Sequence, residues 1–330
     1  MGFPNRSWPP LGLSRRAFVA AGLALSSRSV RAQQRPYPIR RIDMLIPFPP
    51  GTGNDVVGRV VGKQLADTLG QPVVVDNRAG AFGNIAMEAT RRAAPDGYTT
   101  AMASTSFSVN KWTMLSSTYS LDDFTPIAMV ATQPYSLMVG KHVAAKDLRE
   151  LIDFLKKDPT KFNGGQGSGT GYFMLALLNK ELGANVATVA YKGTTEAVMD
   201  LLSARIDLLF APITTVLPYY ASGEAKILGV SGSKRAALMP DVATFTEAGH
   251  PALDISTWFA LLGPKGIADS DVHVLSSAVA KAVQVPDTIS VLAKNGIAPD
   301  YRPPSDLATF LKEDLERWRD IVQASGFVPQ

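Results

Sequence analysis

Two stretches of this 330-residue chain could do chemistry through their backbone alone. Pro49-Pro50-Gly51-Thr52-Gly53-Asn54-Asp55 follows an apolar run at residues 42–46 and leads into Val56. Gly164-Gly165-Gln166-Gly167-Ser168-Gly169-Thr170-Gly171 stands far downstream. Each reads as a glycine-rich turn opening a helix. The first N–H groups of a helix lack partners within it, and the helix dipole adds to their pull on an anion. Two such turns suggest two lobes that grip one anionic ligand. That points to capture of a small carboxylate more than to chemistry on it.

Motifs that would do chemistry are missing or incomplete. There is no G-x-S-x-G elbow and no G-x-x-x-x-G-K-[ST] loop. Val56 stands where a dinucleotide turn needs its third glycine. Ser231-Gly232-Ser233-Lys234 matches S-x-x-K and Ser108-Val109-Asn110 resembles its partner, but no K-T-G follows. The chain has no cysteine, which removes disulfides, thiol nucleophiles and zinc–thiolate sites. His142, His250 and His273 lack metal-ligand spacing. The pairs Asp122-Asp123 and Lys156-Lys157 read as solvated charge. The expectation is a binding protein with no cofactor and no metal, not an enzyme.

The elements that would position the two turns alternate strand and helix. Val56, Val57, Val60, Val61, Leu65 and Leu69 fall at helical spacing, and Gly70 ends that helix. Strands are expected at residues 42–46, 73–75 and 98–103, with a helix at 84–94 stopped by Pro95. This β-α-β-α-β order predicts a parallel sheet. The theme repeats with strands at 136–139, at 187–190, at 206–210 and at 227–230, and with one starting at Phe162. Helices are expected at 148–157, 172–182 and 196–203, and later at 272–283, 286–295 and 305–323. Chain crossings between lobes are expected near Thr132-Gln133-Pro134 and Ser256-Thr257-Trp258.

The first residues follow a different logic. Ser14-Arg15-Arg16-Ala17-Phe18-Val19 is a twin-arginine motif, followed by an apolar run at 17–25 and by Val30-Arg31-Ala32. Basic, apolar and small segments in that order read as an export signal, cleaved near Ala32 to leave Gln33 first. The apolar run is too short to span a bilayer, which needs ~20 residues. The whole chain carries +4, but residues 1–32 hold five arginines and no acid. The remainder has 28 basic and 29 acidic residues, a net charge of −1. The basic surplus therefore belongs to the signal, and nucleic-acid binding loses its support.

Several of these residues together resemble a known family. They are Pro47-Phe48-Pro49-Pro50-Gly51-Thr52-Gly53-Asn54-Asp55, Leu69-Gly70-Gln71-Pro72-Val73-Val74-Val75 and Asp76-Asn77-Arg78-Ala79-Gly80-Ala81-Phe82-Gly83-Asn84-Ile85. Ala94-Pro95-Asp96-Gly97-Tyr98-Thr99, Tyr191-Lys192-Gly193, Pro240-Asp241-Val242-Ala243-Thr244 and Trp258-Phe259-Ala260-Leu261-Leu262 continue the series. In this order they resemble the periplasmic receptors of tripartite tricarboxylate transport, the Bug or TctC type.

The resemblance implies an α/β, two-lobed, type-2 periplasmic-binding-protein (Venus-flytrap) fold that closes on a carboxylate. It divides the chain into a signal at 1–32, lobe 1 at 33–133 plus 256–330, and lobe 2 at 134–255. It implies a carboxylate held partly through water by Phe48, Pro50, Gly51, Thr52, Gly53 and Asn54 on one side. Gly167, Ser168, Gly169 and Thr170 hold it on the other. The polar stretch Ser104-Thr105-Ser106-Phe107-Ser108-Val109-Asn110 departs from the family's pattern, and the hydroxyls of Ser104 and Ser106 are expected to meet the far end of the ligand. Many members have Phe-Asp-Asn after the strand that here ends at Phe210, where this chain has Ala211-Pro212. Without that aspartate, an ammonium group on the ligand loses its partner. The implied setting is a periplasmic monomer handing a small organic carboxylate to membrane permease subunits. A membrane sensor kinase is the alternative receiver, and an enzyme on the same scaffold is the second alternative.

Overall fold

The computed structural model describes Gly2 and residues 36–329, apart from 159, 168, 192 and 233. The twin-arginine segment and its cleavage site lie outside the described residues, as does Ser168. The fold below is that of the compact unit Pro38–Gln330.

The chain opens with β1 (Ile42–Ile46), α1 (Gly53–Leu69), β2 (Val73–Asn77), α2 (Asn84–Arg91), β3 (Thr99–Ser104) and α3 (Ser106–Thr113). A long strand β4 (Phe124–Gly140) follows, then α4 (Leu148–Lys157), β5 (Asn163–Gln166), α5 (Gly169–Leu182), β6 (Ala187–Ala190) and α6 (Thr194–Leu202). Next come β7 (Leu208–Pro212), α7 (Ile213–Ala221), β8 (Ala225–Val230) and β9 (Ser256–Pro264). The chain closes with α8 (Asp269–Ala282), α9 (Pro286–Lys294), β10 (Ala298–Arg302) and α10 (Pro304–Ala324).

Local chemistry explains the boundaries. Gly70 ends α1 at φ 65°, the left-handed cap that glycine adopts without a Cβ penalty. The Asp147 carboxylate accepts the Glu150 N–H and caps α4. Pro286 and Pro304 open α9 and α10, where a missing N–H costs nothing.

The strands form one mixed sheet in the order β2-β1-β3-β9-β4-β7-β5-β6, with β8 and β10 also on β4. The parallel arrangement expected from the β-α-β-α-β order holds for the first three strands, while the sheet as a whole is mixed. Strands β2, β1 and β3 are parallel to one another, as are β7, β5 and β6. Between these sets, β9 and β4 run antiparallel to their neighbours. The expected strand at 136–139 is only the second half of β4. That strand pairs β9 and β10 up to Pro134, and β7 and β8 from Tyr135 onward.

A second correction concerns the downstream glycine run. Its first part is strand, since Gly164 and Gly165 pair with Thr188 and Val189 of β6. Side chains there would collide with Leu175 and Ile206, so glycine serves close packing at these two positions. The turn proper is short and begins at Gly167.

Each half has its own core. Leu45, Ala101, Phe107, Tyr119, Met129, Trp258 and Leu262 cluster on one side. Leu137, Leu151, Phe173, Phe210 and Phe245 cluster on the other. Helix α10 joins them: Leu307 and Leu311 lie in the first cluster, and Trp318, Ile321 and Val322 in the second.

Candidate functional site

The turn between β1 and α1 is held from inside. Gly51 takes φ +84°, a conformation L residues rarely adopt, with open space where a side chain would begin. Thr52 Oγ1 donates to the Pro49 carbonyl at 2.9 Å. Asp55 Oδ2 accepts the Gly51 N–H at 3.0 Å, and Oδ1 accepts from Asn77 Nδ2 and Arg59 Nε at 2.9 Å each. Asn77 Nδ2 also donates to the Phe48 carbonyl at 3.0 Å. Burial pushes the Asp55 carboxyl up, but the bonds from Arg59, the Gly51 N–H and Asn77 outweigh it and leave it below 3.8. The Gly51 N–H is thus committed to the protein's own carboxylate. At the start of α1, the N–H groups of Gly53 and Asn54 have no partner within the helix. Gly53 has no room for a side chain, with Phe259 Cζ and Gln133 Oε1 each 3.0 Å from where Cβ would sit. The Asn54 side chain turns inward, donating to the Met102 carbonyl at 2.8 Å.

The end of β3 adds hydroxyl groups. Ser104 and Ser106 Oγ lie 3.3 Å apart. Between them, Thr105 Oγ1 accepts the Trp258 N–H at 3.1 Å and ties this corner to β9. The structure makes Ser106 the first residue of α3, whose Phe107, Ser108, Val109 and Asn110 are all buried.

Next to these serines sits a turn that the sequence reading gave no role. Gly80, Ala81, Phe82 and Gly83 all have positive φ, at 132°, 46°, 50° and 99°. A side chain on Gly83 would begin 3.0 Å from Pro47 Cβ, 3.5 Å from Ser106 Oγ and 3.7 Å from the Phe48 ring. The turn therefore shares a corner with Phe48 and Ser106. Its sequence signal was the Gly80–Gly83 bracket just before a helix start.

In the other half, Gly167 packs on the start of α6. A Cβ on it would lie 2.5 Å from Thr194 Cα, and Thr194 Oγ1 donates to the Gly167 carbonyl at 3.1 Å. Helix α5 starts at Gly169, which faces Val109 of α3, with Cγ1 3.4 Å from the Cβ position. Thr170 is buried in the first turn of α5. Ala211 is fully buried in β7, its carbonyl accepting from Ser136 Oγ at 3.0 Å.

Strand register sets how these pieces meet. The parallel strands β1, β2 and β3 end together, so α1, α2 and α3 all start from one edge. In the same way β5, β6 and β7 end where α5, α6 and α7 begin. Across the sheet Ser104 pairs with Phe259, and Phe259 with Ala131 of β4. Pro212, the last residue of β7, pairs with Tyr135 of the same β4. Only Thr132, Gln133 and Pro134 separate these two rows. The two sets of helix N-termini therefore meet at the Gln133 segment. The Gln133 amide joins both sides, donating to Thr214 Oγ1 of α7 and, at 3.2 Å, to the Asn295 carbonyl.

The incomplete catalytic motif is spent on structure. Ser231 is fully buried, its Oγ accepting the Tyr135 N–H at 2.8 Å and lying 3.1 Å from Ser256 Oγ. His142 pairs with Asp207 at 2.8 Å, and no group of His, Asp and Glu suited to a metal occurs among the described residues. Asp123 is better than a solvated charge: it forms a capping box with Ser120. No helix among the described residues is long and apolar enough to cross a membrane.

Known proteins share this arrangement. The family model described as tripartite tricarboxylate transporter family receptor, TctC, matches residues 57–327. Protein BugT of Bordetella pertussis is 32% identical over 318 residues, covering 94% of this chain and 98% of BugT. MatC of Rhodopseudomonas palustris, solved with bound malate, superposes with TM-score 0.75 at 30% identity, covering 87% of this chain and 100% of MatC. Rpa4515 of the same organism, solved with adipate, gives TM-score 0.80 at 27% identity, covering 89% and 100%. The fold is the two-lobed α/β fold of periplasmic binding proteins, and the chain belongs to the TctC family of tripartite tricarboxylate transporter receptors.

Proposed function

We propose that this protein captures a small organic carboxylate between its two lobes and delivers it to the permease subunits of a tripartite tricarboxylate-type transporter. The observation that carries the reading is the register of β4. It brings the helix starts after β3 and β7 to one segment around Gln133. An anion placed there meets unpaired N–H groups, two helix dipoles and serine hydroxyls, with no charge of its own to neutralise first. The malate and adipate held by two relatives give the size and chemistry of the ligand class.

In this reading one carboxylate sits between the Phe48–Asn54 turn and the Gly167–Thr170 turn. Ser104 and Ser106 meet the rest of the ligand. Lobe 1 comprises 33–133 plus 256–330 and lobe 2 comprises 134–255. The lobes close because the ligand binds the closed state better. The protein acts in the periplasm as a monomer, exported through the twin-arginine route and cut near Ala32. It catalyses nothing.

A thermal-shift screen of malate, adipate, tricarboxylates and aromatic acids tests the reading. A true ligand at ~100 times its Kd stabilises the protein by ~2.7 kcal/mol. A screen in which no carboxylate moves the melting temperature would count against it.

A further inference from the structure

Three polar side chains are buried behind the corner shared by Phe48, Gly83 and Ser106, and their bonds all lead to the left-handed turn. Asn110 of α3 is 4% exposed and Asn84 is equally hidden. Asn110 Nδ2 donates to the Phe82 carbonyl at 3.0 Å and to Asn84 Oδ1 at 2.9 Å. Tyr119 OH also donates to Asn84 Oδ1, at 2.9 Å. Both amide hydrogens of Asn110 are thereby used. Tyr119 is itself fixed, stacked on Phe107 at 5.1 Å and edge-on to Phe124 at 5.7 Å.

The turn is closed by its own backbone, the Gly83 N–H donating to the Gly80 carbonyl at 2.9 Å and the Asn84 N–H to the Ala81 carbonyl, and Asn110 adds the side-chain bond to it. Ala81 and Phe82 hold φ near 50°, where an L side chain is strained, and such residues persist only where their surroundings over-determine them. The Phe82 ring contributes little burial in return, since it is 57% exposed. Asn110 stands one helical turn after Ser106 on α3, and Val109 beside it faces Gly169 of the other lobe. One helix thus carries the serine wall, the contact with the second lobe and the clamp on the turn.

We propose that Asn110 is a positioning residue for the ligand site: by holding the Ala81–Phe82 turn left-handed, it keeps Gly83 against Ser106 and Phe48 and so fixes that wall of the cleft. This rests on the carboxylate-capture reading above. The Asn84 side chain and Tyr119 complete the network without bonding the Phe82 carbonyl, which makes Tyr119 the control.

The test uses the full chain and calorimetry with whichever of malate or adipate binds the wild type. Asn110→Leu removes both donors at similar size and is expected to weaken binding at least tenfold, about 1.4 kcal/mol. Ala81→Gly, which makes a positive φ easy, is expected to restore part of that affinity in the Asn110→Leu background. Tyr119→Phe is expected to lower the melting temperature while leaving affinity within twofold. Unchanged affinity in Asn110→Leu overturns the proposal, as does an equal loss in Tyr119→Phe. A wild type that binds no acid sinks the carboxylate reading instead, so the two failures are distinct.

Discussion

Asp55 Oδ2 accepts the Gly51 N–H at 3.0 Å, so the first turn of α1 closes its own glycine loop with its own carboxylate. An acid in the first helical turn is favoured by the dipole, and here it also satisfies a donor that would otherwise be free. Its charge is answered by Arg59 at 2.9 Å rather than by a ligand. Asp55→Asn is expected to cost about 1–2 kcal/mol, because the amide nitrogen has no acceptor among these donors. The sign with pH follows from the lowered carboxyl: the stabilisation is present above 3.8 and is lost as pH falls through the lower folded value. The variant should therefore lose less stability on acidification than the wild type. Identical acid limbs in chemical denaturation from pH 5 to pH 2 would contradict this.

Asp314 has the opposite sign. It is buried on α10, accepting the Trp258 indole N–H at 2.8 Å, and burial pushes its carboxyl above 3.8 despite that bond. The folded state then holds a proton that the unfolded state has released. Stability falls as pH rises from 3.8 through the folded value. Asp314→Asn keeps an oxygen for Trp258 and removes the buried charge, so it should raise stability near neutral pH and flatten that decline. The check is the denaturation midpoint between pH 4 and pH 8. A lower midpoint throughout would show that the carboxylate is needed as such.

Gly169 offers a direct probe of the proposed contact between the lobes. A valine there would press on Val109, whose Cγ1 is already 3.4 Å from the Cβ position. Gly169→Val is expected to weaken ligand binding at least tenfold, about 1.4 kcal/mol, with little loss of ligand-free stability. Solution scattering should show compaction by ligand in the wild type and less in the variant. Equal affinity in calorimetry would remove Gly169 from the site.

The ligand should lack a charged amine. Ala211, where the resemblance would place an aspartate, is fully buried with its carbonyl bonded to Ser136. Aspartate and glutamate are expected to bind far more weakly than an organic acid of equal length. Micromolar binding of either amino acid would contradict this.

How much of this could be read from the sequence varied with the kind of interaction. Helix α1 was plain because Val57, Val61 and Leu65 repeat at helical spacing and Gly70 stops them. Helix α3 was hidden because its buried face mixes Ser108 and Asn110 with Phe107 and Val109, which blurs the apolar period. Strand β4 was cut short because Pro126 and Pro134 lie within it, and proline usually argues against a strand. The strand changes partner between Pro134 and Tyr135. The clamp of Asn110 on Phe82 joins residues on separate elements, and nothing in one sequence announces such a pair. The first glycine turn was legible as a turn, but half of the second run is strand, and nothing in the sequence showed that Asp55 takes the Gly51 N–H.

The most direct measurement of the central claim is a crystal structure of the protein with a bound organic acid. One carboxylate group is expected between the start of α1 at Gly53 and the start of α5 at Gly169, with Ser104 or Ser106 at hydrogen-bond distance from the ligand. A carboxylate bound on a single lobe, away from the Gln133 segment, would contradict it.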